Sequence, residues 1–437
     1  MNQLPHCRQQ LRREPVTRGV LAERAFTLVE LMVAITGGLF VSLVVFALAR
    51  EGSRFYQRES RVAEATYGSI IGFDRLHNDI ARAGFLSSPN VRSDPSYCAG
   101  VANLEGIPLL RQLASIQITT AEQSVLDNAT LKAAAPAITP HSVVLAGAYD
   151  SVERYDNTIT TEIAGGGYYV RLQVERGALF RMGFNTLTAQ QKLNLLTRLF
   201  PPRRVLRLQN TDYGTSQYGI IVGTSLDTNS VPQIQLARQP ALILGATSTA
   251  RCSARFHQQV NVVNFVRYAL RKVKGNSDYP LHQQLFDGAQ QPPGENDRLE
   301  LVREELYPDD GTVVPSSREV ITEYAVDLRF QATCRNAPGV TPALVTDNGA
   351  DCVTLTVAGA TTSGAAATRP QSVRSLRVRL SVRSRDADRD ANVDQTNPAI
   401  APGLYRIGLG TNGTKPFARV RTLQADTLIA SQSNLTW

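Results

Sequence analysis

The sequence predicts an α+β chain in which one long N-terminal α-helix leads into a large β-rich head. Three observations predict it. From Phe26 to Ala49 the only charged side chain is Glu30; from Arg50 to Ala83 there is no proline and apolar residues recur at helical steps; from Ser142 onward, short runs rich in Val, Ile, Leu and Tyr follow one another. At ~1.5 Å per residue a helix over 26–49 exceeds the ~30 Å hydrocarbon core of a bilayer, so this run reads as a membrane span.

Ahead of the span, Arg8, Arg12, Arg13, Arg18 and Arg24 outweigh Glu14 and Glu23, a net +3 that keeps this side cytoplasmic and sends the rest across. A cleaved secretory signal is the competing reading, since Phe46-Ala47-Leu48-Ala49 offers small residues. Its apolar region should span only ~7–15 residues, and this run is longer. Glu30 costs roughly 2.5–3.5 kcal/mol at the bilayer centre and less toward an interface. It therefore asks for a partner charge or a place near the cytoplasmic headgroups. Gly37 and Gly38, each ~1 kcal/mol poorer than Ala in helix propensity, read either as a soft point or as a site of close helix packing.

Beyond the span, Phe55, Val62, Thr66, Ile70, Phe73, Ile80 and Ala83 form an apolar stripe expected to pack on the head, with Gly84 as the stop and Pro89 beyond it. The result would be a protruding hydrophobic half and a docked half. Residues 86–141 read as loop-rich, with a short helix at 121–135. Strands are expected at 142–145, 168–174, 219–222, 241–244, 260–268, 299–304, 321–330, 353–357 and 376–382, and a helix at 188–199 stopped by Pro201-Pro202. Gly165-Gly166-Gly167 reads as a flexible turn, not a phosphate cradle, because no helix follows it.

The 437 residues, 43% hydrophobic, suffice for one large or two medium exported units. Net charge is +8, or +5 without residues 1–25, which could draw nucleic acid or anionic polymers or merely reflect an arginine-rich β surface. Arg374, Arg377, Arg379, Arg383 and Arg385 alternate with Val and Leu, which suits an exposed edge strand guarded against pairing, or a DNA-binding stripe. Cys7 precedes the span. Cys98, Cys252, Cys334 and Cys352 make an even set in an oxidising compartment; the short loop favours Cys334 with Cys352, worth about 3 kcal/mol, leaving Cys98 with Cys252. No CxxC, GxSxG, Walker or HExxH pattern occurs, and the histidines stand singly, so no catalytic constellation is expected. Asp386, Asp388 and Asp390 place oxygens at alternate positions, as in the first half of a calcium loop. Ala391 stands where the EF-hand turn needs Gly, and Asn397 where the bidentate Glu belongs, so a solvated acidic loop competes with calcium, the only cofactor in view.

Ala25-Phe26-Thr27-Leu28-Val29-Glu30-Leu31-Met32-Val33-Ala34-Ile35 resembles the processing site of type IV prepilins. Leu76-His77-Asn78-Asp79-Ile80-Ala81-Arg82-Ala83-Gly84-Phe85 resembles the end of the N-terminal helix in minor pilins of the PilW type. Residues 260–272 with 298–304, 323–330 and 373–384 resemble strands of the same family, with Ala325 where its Val would stand. The resemblance implies a type IV pilin-like fold and prepilin peptidase cleavage between Ala25 and Phe26, although Ala25 replaces the usual Gly. It also implies N-methylation of Phe26, with Glu30 neutralising that amine during assembly. The expected divisions are a leader (1–25), a transmembrane assembly half (26–49), an amphipathic half (50–84), an elaborated head region (85–257) and a pilin-like sheet region (258–437). The implied role is a minor pilin in priming and in a tip complex. Its partners would be the major pilin, other minor pilins, the inner-membrane assembly platform and a tip adhesin. The head would lie in the periplasm below a single inner-membrane span until assembly carries it to the pilus tip. A minor pseudopilin of type II secretion, and a DNA-uptake or adhesion module, are the alternative roles.

Overall fold

The computed structural model describes residues 27–98, 104, 107–111, 113–119, 140–245, 251–280, 298–335, 344–347, 369–385, 406–408 and 417–435. Two compact units divide the chain, Met1–Arg58 and Glu59–Trp437, and one helix, α1 (Leu28–Ala81), belongs to both. In the first unit, the side chains from Leu28 to Leu48 are exposed on every face of the helix. The stretch Leu28–Gln57 is long and apolar enough to cross a membrane. It continues unbroken through Gly37 and Gly38.

The second unit is built on antiparallel strands: β1 (Ile116–Thr119), β2 (Ser142–Gly147), β3 (Tyr155–Glu162), β4 (Tyr168–Leu172), β5 (Val205–Asn210), β6 (Ser216–Leu226), β7 (Pro232–Leu236), β8 (Gln258–Arg271), β9 (Glu300–Leu306), β10 (Glu319–Thr322), β11 (Ala325–Arg335), β12 (Leu344–Asp347), β13 (Val373–Arg383), β14 (Arg406–Gly408) and β15 (Phe417–Leu428). The short helices α2 (Pro108–Arg111) and α3 (Gly177–Arg181) and the longer α4 (Ala189–Leu199) join them. Thr188 and Gln191 start α4 with a reciprocal capping box.

β8 organises this unit by changing partners along its length. Residues 258–263 pair with β5 and, at Gln259 and Val260, with β3; residues 264–271 pair with β2 and β9. The first half thereby closes a ring, β8-β3-β4-β7-β6-β5 and back to β8. Its apolar interior holds Val170, Leu206, Leu208, Ile221, Ile234 and Val260 together with Leu179 of α3 and Leu196 of α4. Closure removes the unpaired strand edges that would otherwise invite aggregation. The second half lies in the run β1-β2-β8-β9-β10, and a separate five-stranded sheet has the order β12-β11-β13-β15-β14. Val260 belongs to the core of the ring, while Val266, Tyr268 and Leu270 belong to the core that the end of α1 enters.

Leu76 and Ile80 of α1, with Ala83 just beyond its end, share one buried core with Val143, Val266, Leu301, Leu328, Phe330, Leu376 and Leu380. Each large side chain so buried contributes roughly 1.5–3 kcal/mol. His141 joins the sheets: its N–H donates to the Leu328 carbonyl at 2.7 Å and its Nδ1 accepts from Phe330 N–H at 3.3 Å. Burial, helped by Arg329 and Arg379, pushes its pKa down to about 4, which keeps Nδ1 an acceptor at neutral pH.

The packed face of α1 differs from the expected stripe. Phe55 and Ile70 are 65% and 50% exposed, while Ala65, Ser69 and Gly72 are buried above Leu76. Small residues face inward because the helix runs very close to β10 and β13. A Cβ at Gly72 would stand 3.0 Å from the Cβ of Thr322, overlap its hydroxyl and lie 3.4 Å from Leu380 Cδ2. The Thr322 hydroxyl donates to the Gly68 carbonyl at 2.8 Å.

Three further expectations are corrected. Residues 241–244 are extended but join no sheet; Leu242 and Ile243 give their N–H groups to the side chains of Tyr168 and Gln217. The run 321–330 is broken at Glu323-Tyr324, where Tyr324 has φ +57°, and its halves enter different sheets. β13 is not an edge strand but lies between β11 and β15. The expected helix at 121–135 and strand at 353–357 lie outside the described residues. Gly165-Gly166-Gly167 form the β3–β4 turn.

Glycine-to-alanine changes inside helices ordinarily stabilise, by ~1 kcal/mol. At Gly72 the sign should reverse: Gly72→Ala is expected to destabilise by about 1–3 kcal/mol through overpacking, whereas Gly52→Ala, with open space around it, should not destabilise. Thermal unfolding of the detergent-solubilised chain checks both.

Candidate functional site

The start of α1 is built around Glu30. Thr27 N–H and the Thr27 hydroxyl both donate to Glu30 Oε2 at 3.0 Å, and Glu30 N–H donates to Thr27 Oγ1 at 3.2 Å. This reciprocal capping satisfies donors that a helix start leaves open. Thr27-Leu28-Val29-Glu30 fits the S/T-x-x-E pattern of a capping box, a local signal for this role of Glu30 beside those expected above. Among the described residues the bonds use Oε2 alone, so Oε1 retains its capacity to accept from a further donor. Deeper in the span, the Thr36 hydroxyl is satisfied within the helix by the Met32 and Val33 carbonyls. Ala25 and Phe26 lie outside the described residues.

The other end of α1 is held by Asp79, a carboxylate 3% exposed. Its Oδ2 accepts from the Tyr268 hydroxyl on β8 at 2.7 Å and from Arg303 Nε on β9 at 2.8 Å. Tyr149 donates to the Asp79 backbone carbonyl at 3.1 Å, and Arg82 stacks on the Tyr149 ring while donating to the Ala148 carbonyl. Burial and the Asp79 charge push the Tyr268 hydroxyl above the ordinary tyrosine range. Burial works against the charge of Arg303, but the Asp79 bond outweighs it and raises the arginine's pKa. Gly84 follows with φ +73°, a left-handed conformation that favours glycine, and its N–H donates to the Ala146 carbonyl of β2 at 2.8 Å. Ser431 donates to the Ala83 carbonyl. Leu76, Asp79, Ile80, Ala83 and Gly84, the residues that carried the second resemblance, thus form the joint between helix and head.

The arginines of β13 are taken up by local partners. Arg379 pairs with the buried Asp327 at 2.8 Å and Arg377 with Asp426 at 2.9 Å, while Arg374 donates to the carbonyls of Gln371, Val373 and Leu435. Arg383 is buried against the Tyr324 ring. Their spacing serves cross-strand pairing within the sheet. A similar arrangement surrounds Glu304, which accepts from Arg267 at 2.6 Å and from Tyr279 at 2.7 Å. Burial drives this carboxyl upward, but Arg267 and Arg271 prevail and hold it below its ordinary value.

Cys98 and Cys252 form a disulfide, with Cα atoms 5.4 Å apart. Cys334 is also disulfide-bonded; Cys352 lies outside the described residues. Asp386, Asp388 and Asp390 lie outside them too, and among the described residues no cluster of three or more His, Cys, Asp or Glu side chains is placed to hold a metal ion. Comparison with protein-family models, curated proteins and solved structures found no match.

Removing one partner of the Asp79 pair leaves a buried guanidinium uncompensated. Asp79→Ala is expected to cost about 3–5 kcal/mol, and Asp79→Ala with Arg303→Met to recover part of that loss. Denaturant unfolding of Asp79→Ala, Arg303→Met and the double variant checks the coupling; a double variant that loses as much as the sum of both single changes would show that the pair does not act as a unit.

Proposed function

We propose that this chain is a minor subunit of a type IV pilus, inserted through α1 and assembled through the same helix. The observation that carries this reading is the helix itself. A segment apolar on all faces needs a bilayer or other helices around it, and here it is continuous with a segment buried in a β head. Glu30, the single charge of the apolar part, has one carboxylate oxygen engaged in capping and one left for an incoming amine. In this reading prepilin peptidase cuts after Ala25, Phe26 is N-methylated, and its amine meets Glu30 of the same or a neighbouring subunit. The head faces the periplasm before assembly, which agrees with the Cys98–Cys252 disulfide, since such bonds persist in oxidising compartments. At the pilus tip it would meet other minor pilins and an adhesin.

The processing step is directly measurable. Mass spectrometry of the chain recovered from membranes should find a mature N-terminus at Phe26 carrying one methyl group. A chain beginning at Met1, or cleaved after Ala49, would contradict the reading. In a deletion strain piliation should fail while exoprotein secretion continues; the opposite pattern assigns the same helix to a secretion pseudopilin.

A further inference from the structure

The outer face of the β5–β6–β8 wall carries a polar layer. Cross-strand register places Arg207 opposite Tyr218 and Asn261, and Gln209 opposite Ser216 and Gln259, so these six side chains share one face. Leu206, Leu208 and Val260 point the other way, into the ring. The segment 86–98 lies across that polar face. Asn261 Nδ2 donates to the Leu86 carbonyl at 2.9 Å, Ser88 N–H donates to the Tyr218 hydroxyl at 2.9 Å, and the Tyr97 and Tyr218 rings are 5.9 Å apart. Cys98 N–H donates to the Ser216 carbonyl, and the disulfide to Cys252 fastens the end of the segment.

Beneath this strap the polar groups outnumber their partners. Arg207 is 9% exposed, its Nε has no hydrogen-bond partner, and among the described residues it forms no ion pair. The buried oxygens Ser88 Oγ, Tyr97 Oη and Ser216 Oγ are likewise without partners. Cross-strand register sets Arg207 directly opposite Tyr218, which meets Ser88 N–H and the Tyr97 ring. Asp94, on the strap, caps Ser96 through its Oδ1 at 2.8 and 2.6 Å and forms no ion pair with Arg207. A largely buried arginine with no ion-pair partner among the described residues is costly, and a planar fork of donors flanked by hydroxyls suits an oxyanion.

We propose that the niche between the 86–98 strap and the β5–β6–β8 wall binds a small oxyanion, a phosphate or a carboxylate. Arg207 is its charge anchor, with the hydroxyls of Ser88, Tyr97 and Ser216 as additional donors. This site stands independently of the assembly reading, since it uses no residue of α1.

Inorganic phosphate and acetate are the probes, titrated against the detergent-solubilised full chain in a buffer free of both, with chloride at matched ionic strength as the control. One or both oxyanions should raise the unfolding temperature by a few degrees when well above the dissociation constant, and chloride should not. Phosphate alone or acetate alone would identify the preferred oxyanion. Arg207→Met should abolish the rise and be no less stable than the wild type in the free buffer, because it removes an uncompensated charge. Should that variant fail to fold, Tyr97→Phe should weaken the affinity several-fold by calorimetry. Equal stabilisation of wild type and Arg207→Met, no stabilisation by either oxyanion beyond chloride, or unchanged affinity in Tyr97→Phe would overturn the proposal.

Discussion

One buried carboxylate, Asp79, fixes the end of the long helix to the head. It sits in the last turn of α1 and accepts from the Tyr268 hydroxyl and the Arg303 guanidinium, so it ties the helix to β8 and β9 together. A buried ion pair is weak evidence for stability, since desolvation offsets much of the Coulomb gain. Its contribution here is better understood as register. Only one position of the helix brings Asp79 to Arg303 while Leu76 and Ile80 enter the apolar core and Gly72 passes Thr322. β8 then links this joint to the closed ring, because the strand that presents Tyr268 also supplies Val260 to the core of the ring.

The long helix, its end near Gly84, α4, the β character of the head and the Cys98–Cys252 bond were all readable in the sequence. Each rests on a strong local signal: an unbroken apolar run, a glycine stop, a helix ended by Pro201-Pro202, β-branched runs and an even cysteine count. What was missed has a common physical cause. β3, with the sequence YDNTITTE, carries too few apolar residues to announce itself, and its place depends on pairing with β4 and β8. β7 and β15 are similarly mixed in composition. The partner change within β8 is set by tertiary pairing, which the strand's own sequence does not show. Phe73 and Ile80 pack as the periodicity implies, but between Ala65 and Gly72 the inward face differs, because close approach selects Gly and Ser where periodicity counts only large apolar residues.

Charge shows the same limit. The arginine alternation of β13 suggested an edge or a DNA surface, and its spacing does follow the pleat. Which face meets which partner could not be read from it: Asp327 lies on a neighbouring strand and Asp426 on another, far apart in sequence. Much of the arginine excess in the second unit is thus spent on internal pairs and ring contacts, and Arg207 differs from the β13 arginines in having none.

Glu30 carries the functional reading, and its two tasks, capping the helix and neutralising an amine, are separable. Glu30→Gln keeps the Thr-x-x-Gln capping pattern and discards the charge. The measurement is the fraction of the chain recovered in sheared filaments relative to membranes, for wild type and Glu30→Gln expressed at equal level. Assembly through a charge pair predicts that Glu30→Gln stays in the membrane, fully processed, and is lost from the filaments. Incorporation at the wild-type level would contradict it and leave Glu30 as a helix cap alone.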